Sequence, residues 1–285
     1  MSKLKIAIQK SGRLHDDSIK LLNDCGISID NSNDQLKAQA REFPLEVLYL
    51  RNSDIPQYLH EGVVDLAIIG ENLLIEKQKD IEIVERLGFA KCRLSIAIPN
   101  TYDYQGIESL NGKSIATSYP ASLQAFLDKN SVQCSIHNIS GSVEIAPNIG
   151  VAEAICDLVS SGSTLFKNGL KEVEVLLTSE ACLVKYPGIE KTKQELLDEL
   201  SFRIRSVLMA RNFKYILLNV PNEKIEEISK ILPVLKSPTV LPLYEKGWSS
   251  MHAVIEKKSY WQIINRLKAA GAQGILVIPI DGMIL

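Results

Sequence analysis

The chain has 285 residues, more than one small domain uses and enough for two or three compact units. Hydrophobic residues make up 46% and charged residues 23%, the balance of a globular chain that can bury a substantial core. A formal net charge of −2 and the lack of an apolar run of membrane-spanning length argue against a nucleic-acid or membrane partner. From the N-terminus, Leu4–Gln9 reads as a strand, Lys10–Arg13 as a loop and the following stretch to Asp24 as a helix, with Asp16 and Asp17 suited to its first turn. Ser53–Glu61 reads as a helix and Val63–Ile69 as a buried strand ending at Gly70. Phe89–Pro99 then crosses to a second lobe, where Lys113–Thr117 is a strand, Leu123–Lys129 a helix and Ser142–Asn148 a short helix. Ala154–Val159 is an apolar strand carrying one acid, Asp157, and Val173–Val184 returns to the first lobe.

The two lobes echo one another. Gly62-Val63-Val64-Asp65 matches Gly150-Val151-Ala152-Glu153, and each lobe opens on strand, loop and helix. From Glu190 the character changes. Lys191–Arg211 carries Leu196, Leu197, Leu200, Ile204, Val207 and Leu208 at the spacing of one helical face. The remainder reads as strand, helix, two strands, helix and strand, the βαββαβ order of a ferredoxin-like domain. Cys25, Cys92, Cys134, Cys156 and Cys182 are scattered, and the four histidines are far apart. No local pattern suggests structural zinc, and a reduced, cytoplasmic protein without a secretory signal is expected.

The stretch Asp157–Leu165 carries the chemistry. A strand with an acid near its end, a loop of Ser160, Ser161, Gly162, Ser163 and Thr164, and a helix start make a phosphate cradle: amides and hydroxyls donate, and the carboxylate accepts from sugar hydroxyls. The loop has no lysine, so it is not a Walker-type nucleotide loop. On residues alone an ordinary strand–turn–helix corner is the alternative. Lys10, Gly12 and Arg13 form either a polyphosphate-facing turn or a solvated basic one. Arg51 stands at an expected strand end, where surface ion pairs are common, and Glu71, after the strand ending at Gly70, is placed to reach the cleft. Glu144 either reaches the cleft or complements a helix start. Tyr119 either stacks on a base or packs in a buried loop.

Glu144, Gly150, Ala152, Ile155, Asp157, Leu158, Ser161, Gly162, Thr164 and Leu165 stand at the spacing of the ATP phosphoribosyltransferase signature. Lys10–Leu14, Arg51–Gly70 and the C-terminal region also resemble the long form of that family, so the resemblance spans essentially the whole chain. It implies an α/β fold: a two-lobed, periplasmic-binding-protein-like catalytic core plus a C-terminal ferredoxin-like (βαββαβ) regulatory domain. The expected divisions are 1–90 with 173–189, 91–172, a linking helix over 190–212, and 213–285. The implied reaction condenses ATP with phosphoribosyl pyrophosphate at the start of histidine biosynthesis. Asp157 and Ser160–Thr164 would hold the sugar phosphate, while Lys10, Gly12, Arg13, Arg51, Glu71 and Tyr119 would serve ATP or pyrophosphate. Glu144 would be a cleft acid.

The same resemblance implies histidine as feedback inhibitor near Ser237, Pro238, Thr239 and Ala272, and a homo-oligomer, dimer or hexamer. Mg²⁺ would be carried by the substrate, and no protein metal ligand is assigned. The short form of the family works with a synthetase-like partner, and the residues beyond Glu190 imply that this chain needs none. Three other readings fit parts of the pattern: a solute-binding protein, a ligand-gated sensor, and a phosphoribosyltransferase for another base. The missing basic recognition helix weighs against the sensor, and the Asp157–Thr164 cradle against the solute-binding protein.

Overall fold

The computed structural model describes residues 3–30, 36–78 and 81–284. The elements in chain order are β1 (Leu4–Gln9), α1 (Arg13–Asp24), β2 (Lys37–Gln39), β3 (Leu45–Leu50), α2 (Ile55–His60), β4 (Leu66–Gly70), α3 (Glu71–Lys77), β5 (Glu82–Arg86), β6 (Cys92–Pro99), β7 (Ser114–Thr117), α4 (Pro120–Lys129), β8 (Ser135–Asn138), β9 (Ala154–Val159), α5 (Ser163–Lys167), β10 (Leu170–Ser179), β11 (Ala181–Lys185), α6 (Lys191–Ala210), β12 (Phe213–Pro221), α7 (Ile225–Ile231), β13 (Thr239–Pro242), β14 (Trp248–Glu256), α8 (Tyr260–Ala269) and β15 (Gln273–Pro279). They form two compact units. One comprises Met1–Lys20 with Ile27–Leu197, the other Leu21–Gly26 with Asp198–Leu285.

The larger unit holds two sheets of the same design. In the first the order is β2-β3-β1-β4-β11-β5, and in the second β10-β6-β9-β7-β8. Strands β3, β1 and β4 are parallel, followed by antiparallel β11 and β5. Strands β8, β7 and β9 are likewise parallel, followed by antiparallel β6 and β10. The apolar runs of β4 and β9 follow from this central position, where both faces are covered. The sequence echo falls at equivalent places, just before β4 and β9. Gly62 and Gly150 both take positive φ, +71° and +73°. After them Asp65 N–H donates to Lys5 O (2.9 Å), and Glu153 N–H to Ser114 O (3.0 Å). Each carboxylate then accepts the backbone N–H of that same partner, Lys5 at 2.8 Å and Ser114 at 2.7 Å. The short repeat is therefore a strand-to-strand clasp used once per lobe.

Several boundaries differ from expectation. The strand expected at Val63–Ile69 runs from Leu66 to Gly70, because the clasp occupies the preceding residues. The segment Val173–Val184 is two strands, and β10 stays in the second sheet through Ser179. The chain therefore leaves that sheet at Glu180, later than the expected boundary at 173. Helix α5 begins at Ser163, which places Ser163 and Thr164 in its first turn rather than in the loop. The short helix expected over Ser142–Asn148 is a single 3₁₀ turn, Val143–Ile145. Strands β2, β5 and β8 had no sequence signal. All three lie on sheet edges, where little apolar surface is buried and patterning is weak.

Helix α6 forms one helix, as its periodicity predicts, and the division between the units falls within it. In the smaller unit, β13-β14-β12-β15 form an antiparallel sheet, the strand order of the expected ferredoxin-like fold. One face packs Ile216, Leu218, Met251 and Ile255 against Ile228, Ile263 and Leu267 of the two helices.

The clasps differ in burial. Asp65 is 6% exposed and also pairs with Lys193 (2.8 Å), whereas Glu153 is exposed. Removing a buried carboxylate strands its donors, while a solvated one is replaced by water. Asp65→Ala should cost about 2–3 kcal/mol of stability and Glu153→Ala about 1 kcal/mol or less, as measured by urea unfolding.

Candidate active site

The carboxyl ends of the parallel strands carry the candidate residues. In the second lobe, β9 brings Asp157 to the sheet end, and Gly162 (φ +76°, ψ 0°) turns the chain into α5. A Cβ at Gly162 would meet no atom, so glycine is needed there for backbone conformation and not for space. Ser161 Oγ–H donates to Ser163 Oγ (3.1 Å), and Phe166 N–H closes on Gly162 O (3.0 Å). Ser160, Ser161, Ser163 and Thr164 are exposed, their hydroxyls open to a ligand. Asp157 is half-buried, and one of its oxygens accepts Leu158 N–H at 2.7 Å. Burial raises its carboxyl above the usual range. The Glu144 charge adds to the rise, and the Leu158 N–H opposes it. Glu144 stands on its 3₁₀ turn, Val143–Ile145.

Tyr119 lies at the start of α4, with its ring against the Leu94, Leu123 and Leu127 core of the second lobe. Its hydroxyl meets the Asn72 side chain of α3, and it feels the charges of Asp157 and Glu76. Burial is the main reason that its phenol is pushed well above the usual range. The packing agrees with the buried-loop alternative for this aromatic, and its hydroxyl meets Asn72.

In the first lobe, Lys10, Arg13 and Arg51 are exposed, and among the described residues none forms an ion pair with them. Lys10 N–H donates to Leu50 O (2.8 Å), which ties the loop after β1 to the end of β3 and brings Lys10 and Arg51 to one edge. Gly12 (φ +92°) makes the turn between them and α1. Glu71, at the end of β4, is not a lone acid: Arg86 holds it at 2.7 Å.

That ion pair opens onto a set of cations that sequence reasoning missed. A cavity of ≈ 640 Å³ is lined by Glu71, Arg86, Lys91, Arg93 and Ser160, with the hinge residues Ser179 and Glu180. Arg93 makes a bidentate pair with Glu172 and donates to the Ser160 carbonyl (3.3 Å), fixing one end of the loop. Lys91 is exposed, and no described residue pairs with it. These cations sit where the chain crosses between lobes, so only the crossing itself brings them to Ser160. The basic residues clustered in Arg86–Arg93 were the available signal.

The residues expected near a histidine site do not come together within one chain. Ser237 and Pro238 precede the edge strand β13, which Thr239 begins, and Ala272 precedes β15 at the opposite edge. Strands β14 and β12 lie between them, a span of roughly 14 Å.

Two α/β lobes joined by two crossings, with a cavity that brings Glu71, Arg86, Lys91 and Arg93 to Ser160, have the architecture of an enzyme that works on anionic substrates. Residues 51–206 match the family model described as ATP phosphoribosyltransferase, and residues 210–282 match HisG, C-terminal domain. The ATP phosphoribosyltransferase of Cytophaga hutchinsonii is 54% identical over 281 residues, covering 99% of this chain and 98% of that protein. That of Phocaeicola vulgatus is 52% identical over 282 residues, covering 99% of this chain and all of its own. Among solved structures, the ATP phosphoribosyl transferase (HisG:HisZ) complex from Thermotoga maritima superimposes with a TM-score of 0.61 at 28% identity, covering 71% of this chain and 98% of that one. The chain belongs to the ATP phosphoribosyltransferase family and is a pentosyltransferase.

The raised Asp157 carboxyl has a stability consequence. The folded state keeps this proton at a pH where the unfolded chain has lost it. Stability from this group is therefore full below the ordinary carboxylate pKa and is lost as pH rises to the folded value. Asp157→Asn should raise the melting temperature at neutral pH, and the gain should shrink to nothing in acid, as followed by thermal melts across a pH series.

Proposed function

We propose that the cleft of the larger unit transfers the 5-phosphoribosyl group from phosphoribosyl pyrophosphate to N1 of the adenine of ATP, the first step of histidine biosynthesis. The Asp157–Thr164 segment carries this reading, because it joins a sugar-hydroxyl acceptor to an open cradle of hydroxyls and amides. In it, Ser160–Thr164 hold the 5′-phosphate and Asp157 accepts from the ribose hydroxyls, with Glu144 beside it. Adenine N1 has a lone pair at neutral pH and attacks the anomeric carbon directly. The N–C bond forms, the C–O bond to pyrophosphate breaks, and the pyrophosphate leaves with the electron pair. No serine or cysteine nucleophile is required.

The protein's part is positioning and charge stabilisation. Holding two anionic substrates in line contributes roughly 7–11 kcal/mol in favourable cases, and a well-placed donor about 3–4 kcal/mol. Lys10, Arg13 and Arg51 on one edge and Lys91 on the other supply cations for the triphosphate and the departing pyrophosphate. Among the described residues no group of three His, Cys, Asp or Glu side chains gathers to hold a metal ion. Mg²⁺ carried on the substrate would neutralise pyrophosphate charge.

Histidine is the inhibitor in this reading, and it acts through the smaller unit. Ser237, Pro238 and Thr239 lie at one edge of that sheet and Ala272 at the other, so a site using both groups takes one edge from each of two protomers. A homo-oligomer, dimer or hexamer, supplies that arrangement. The second unit also stands in place of a synthetase-like partner. No helix among the described residues is long and apolar enough to cross a membrane, and the reading places the enzyme in the cytoplasm with its nucleotide substrates.

The test is turnover with ATP, phosphoribosyl pyrophosphate and Mg²⁺, with the product identified by mass spectrometry, with and without histidine. Asp157→Ala should lower kcat/KM for phosphoribosyl pyrophosphate about 100-fold. Thr164→Val should raise its KM about 10-fold with little change in kcat. Unchanged kinetics in both variants would remove the site assignment, and turnover insensitive to histidine would remove the regulatory one.

A further inference from the structure

Helix α4 begins without a cap of its own. The start of a helix leaves four backbone donors with no intrahelical partner, and here each can be accounted for. Tyr119 N–H donates to Thr117 Oγ (2.9 Å), and Thr117 Oγ–H donates in turn to Cys156 O (2.6 Å). Pro120 has no N–H. Ala121 N–H donates to Glu76 Oε1 (3.0 Å) and Ser122 N–H to Glu76 Oε2 (2.9 Å), with Ser122 Oγ–H adding a third bond at 2.7 Å. Leu123 N–H, bonded to Tyr119 O at 3.0 Å, is the first intrahelical bond. The open amides of Ala121 and Ser122 are therefore both met by one carboxylate from the other lobe, since Glu76 stands on α3 and α4 lies in the second lobe.

The same helix α3 touches the second lobe twice more. Asn72 N–H donates to Ser179 Oγ and Ser179 Oγ–H donates to Asn72 Oδ1, both at 2.9 Å, and Asn72 also reaches the Tyr119 hydroxyl. We infer that Glu76 is a positioning residue for the transfer reaction: by capping α4 from the opposite lobe it fixes the start of that helix, where the Tyr119 N–H bond to Thr117 Oγ and the Thr117 hydroxyl bond to Cys156 O tie it to the strand position next to Asp157. This rests on the assignment of Asp157 to the phosphoribosyl site. A helix start is favourable for a carboxylate because the helix dipole and the free amides act together. A lobe that swings away must break all three bonds and leave two amides unmet.

Glutamine at position 76 keeps the size and one acceptor but sets an N–H₂ against an amide donor. Glu76→Gln should lower kcat/KM for phosphoribosyl pyrophosphate about 10-fold while KM for ATP stays within about twofold. Tyr119→Phe should lower the same parameter. The double variant should fall no further than about threefold below the weaker single, because both changes act on one element. Losses that multiply, or wild-type kinetics in either single variant, would overturn the inference. Should Glu76→Gln fail to give a cooperative thermal melt, Ser122→Ala, which removes only the hydroxyl bond, takes its place in the same cycle. Asp157→Ala measured alongside separates the two ideas. If it has wild-type kinetics the site reading fails, and if it is impaired while Glu76→Gln is not, only the positioning role fails.

Discussion

Each sheet of the larger unit is completed by a strand delivered from the other. Strand β6 arrives from the first lobe and lies between β9 and β10 of the second sheet, and β11 returns from the second and lies between β4 and β5 of the first. This exchange ties the lobes by two crossings that are hydrogen-bonded into sheet ladders on either side. Neither lobe can be completed without the other, and the crossings fix which strand ends meet. Ser179, Glu180 and Cys92 sit at those crossings, and the cavity that joins Glu71 of one lobe to Ser160 of the other lies over them.

The electrostatics of the cleft follow from this arrangement. Some cations are held: Arg93 by Glu172, and Arg86 by Glu71. Such pairs keep a guanidinium in a set orientation while leaving donors for a ligand. Lys10, Arg13, Arg51 and Lys91 are exposed, suited to following a flexible polyphosphate. Asp157 is treated differently: it is half-buried beside Glu144, so its carboxyl is raised and the unliganded site carries a cost in stability. Sugar hydroxyls donating to it would relieve that cost.

The smaller unit answers to a different constraint. Its helices cover one face of a four-stranded sheet and leave the edges β13 and β15 unpaired. All four residues of β13 are exposed, as are Leu276 and Ile278 of β15. Open edges carrying apolar residues are a liability for a lone chain and a resource for an assembly. A regulatory ligand that draws on residues from both edges therefore depends on how copies are arranged.

Much of this was legible in the sequence, because local patterns and short-range chemistry decide it. Asp157 through Thr164, the Gly62 and Gly150 turns, the single long helix α6 and the βαββαβ order all rest on residues near one another in the chain, where periodicity and turn chemistry act. Tertiary structure decided the rest. The edge strands β2, β5 and β8 bury too little to leave a pattern. The return at Glu180 is set by a ladder partner, not by composition. Glu71 meets Arg86 only once β4 and β5 are placed in one sheet, and Lys91 and Arg93 reach Ser160 only through the crossing. Glu76 carried no sign of its role, because a helix cap supplied by another lobe has no fixed spacing in sequence: the bond joins groups 45 residues apart, and only the packing of α3 against α4 brings them within reach.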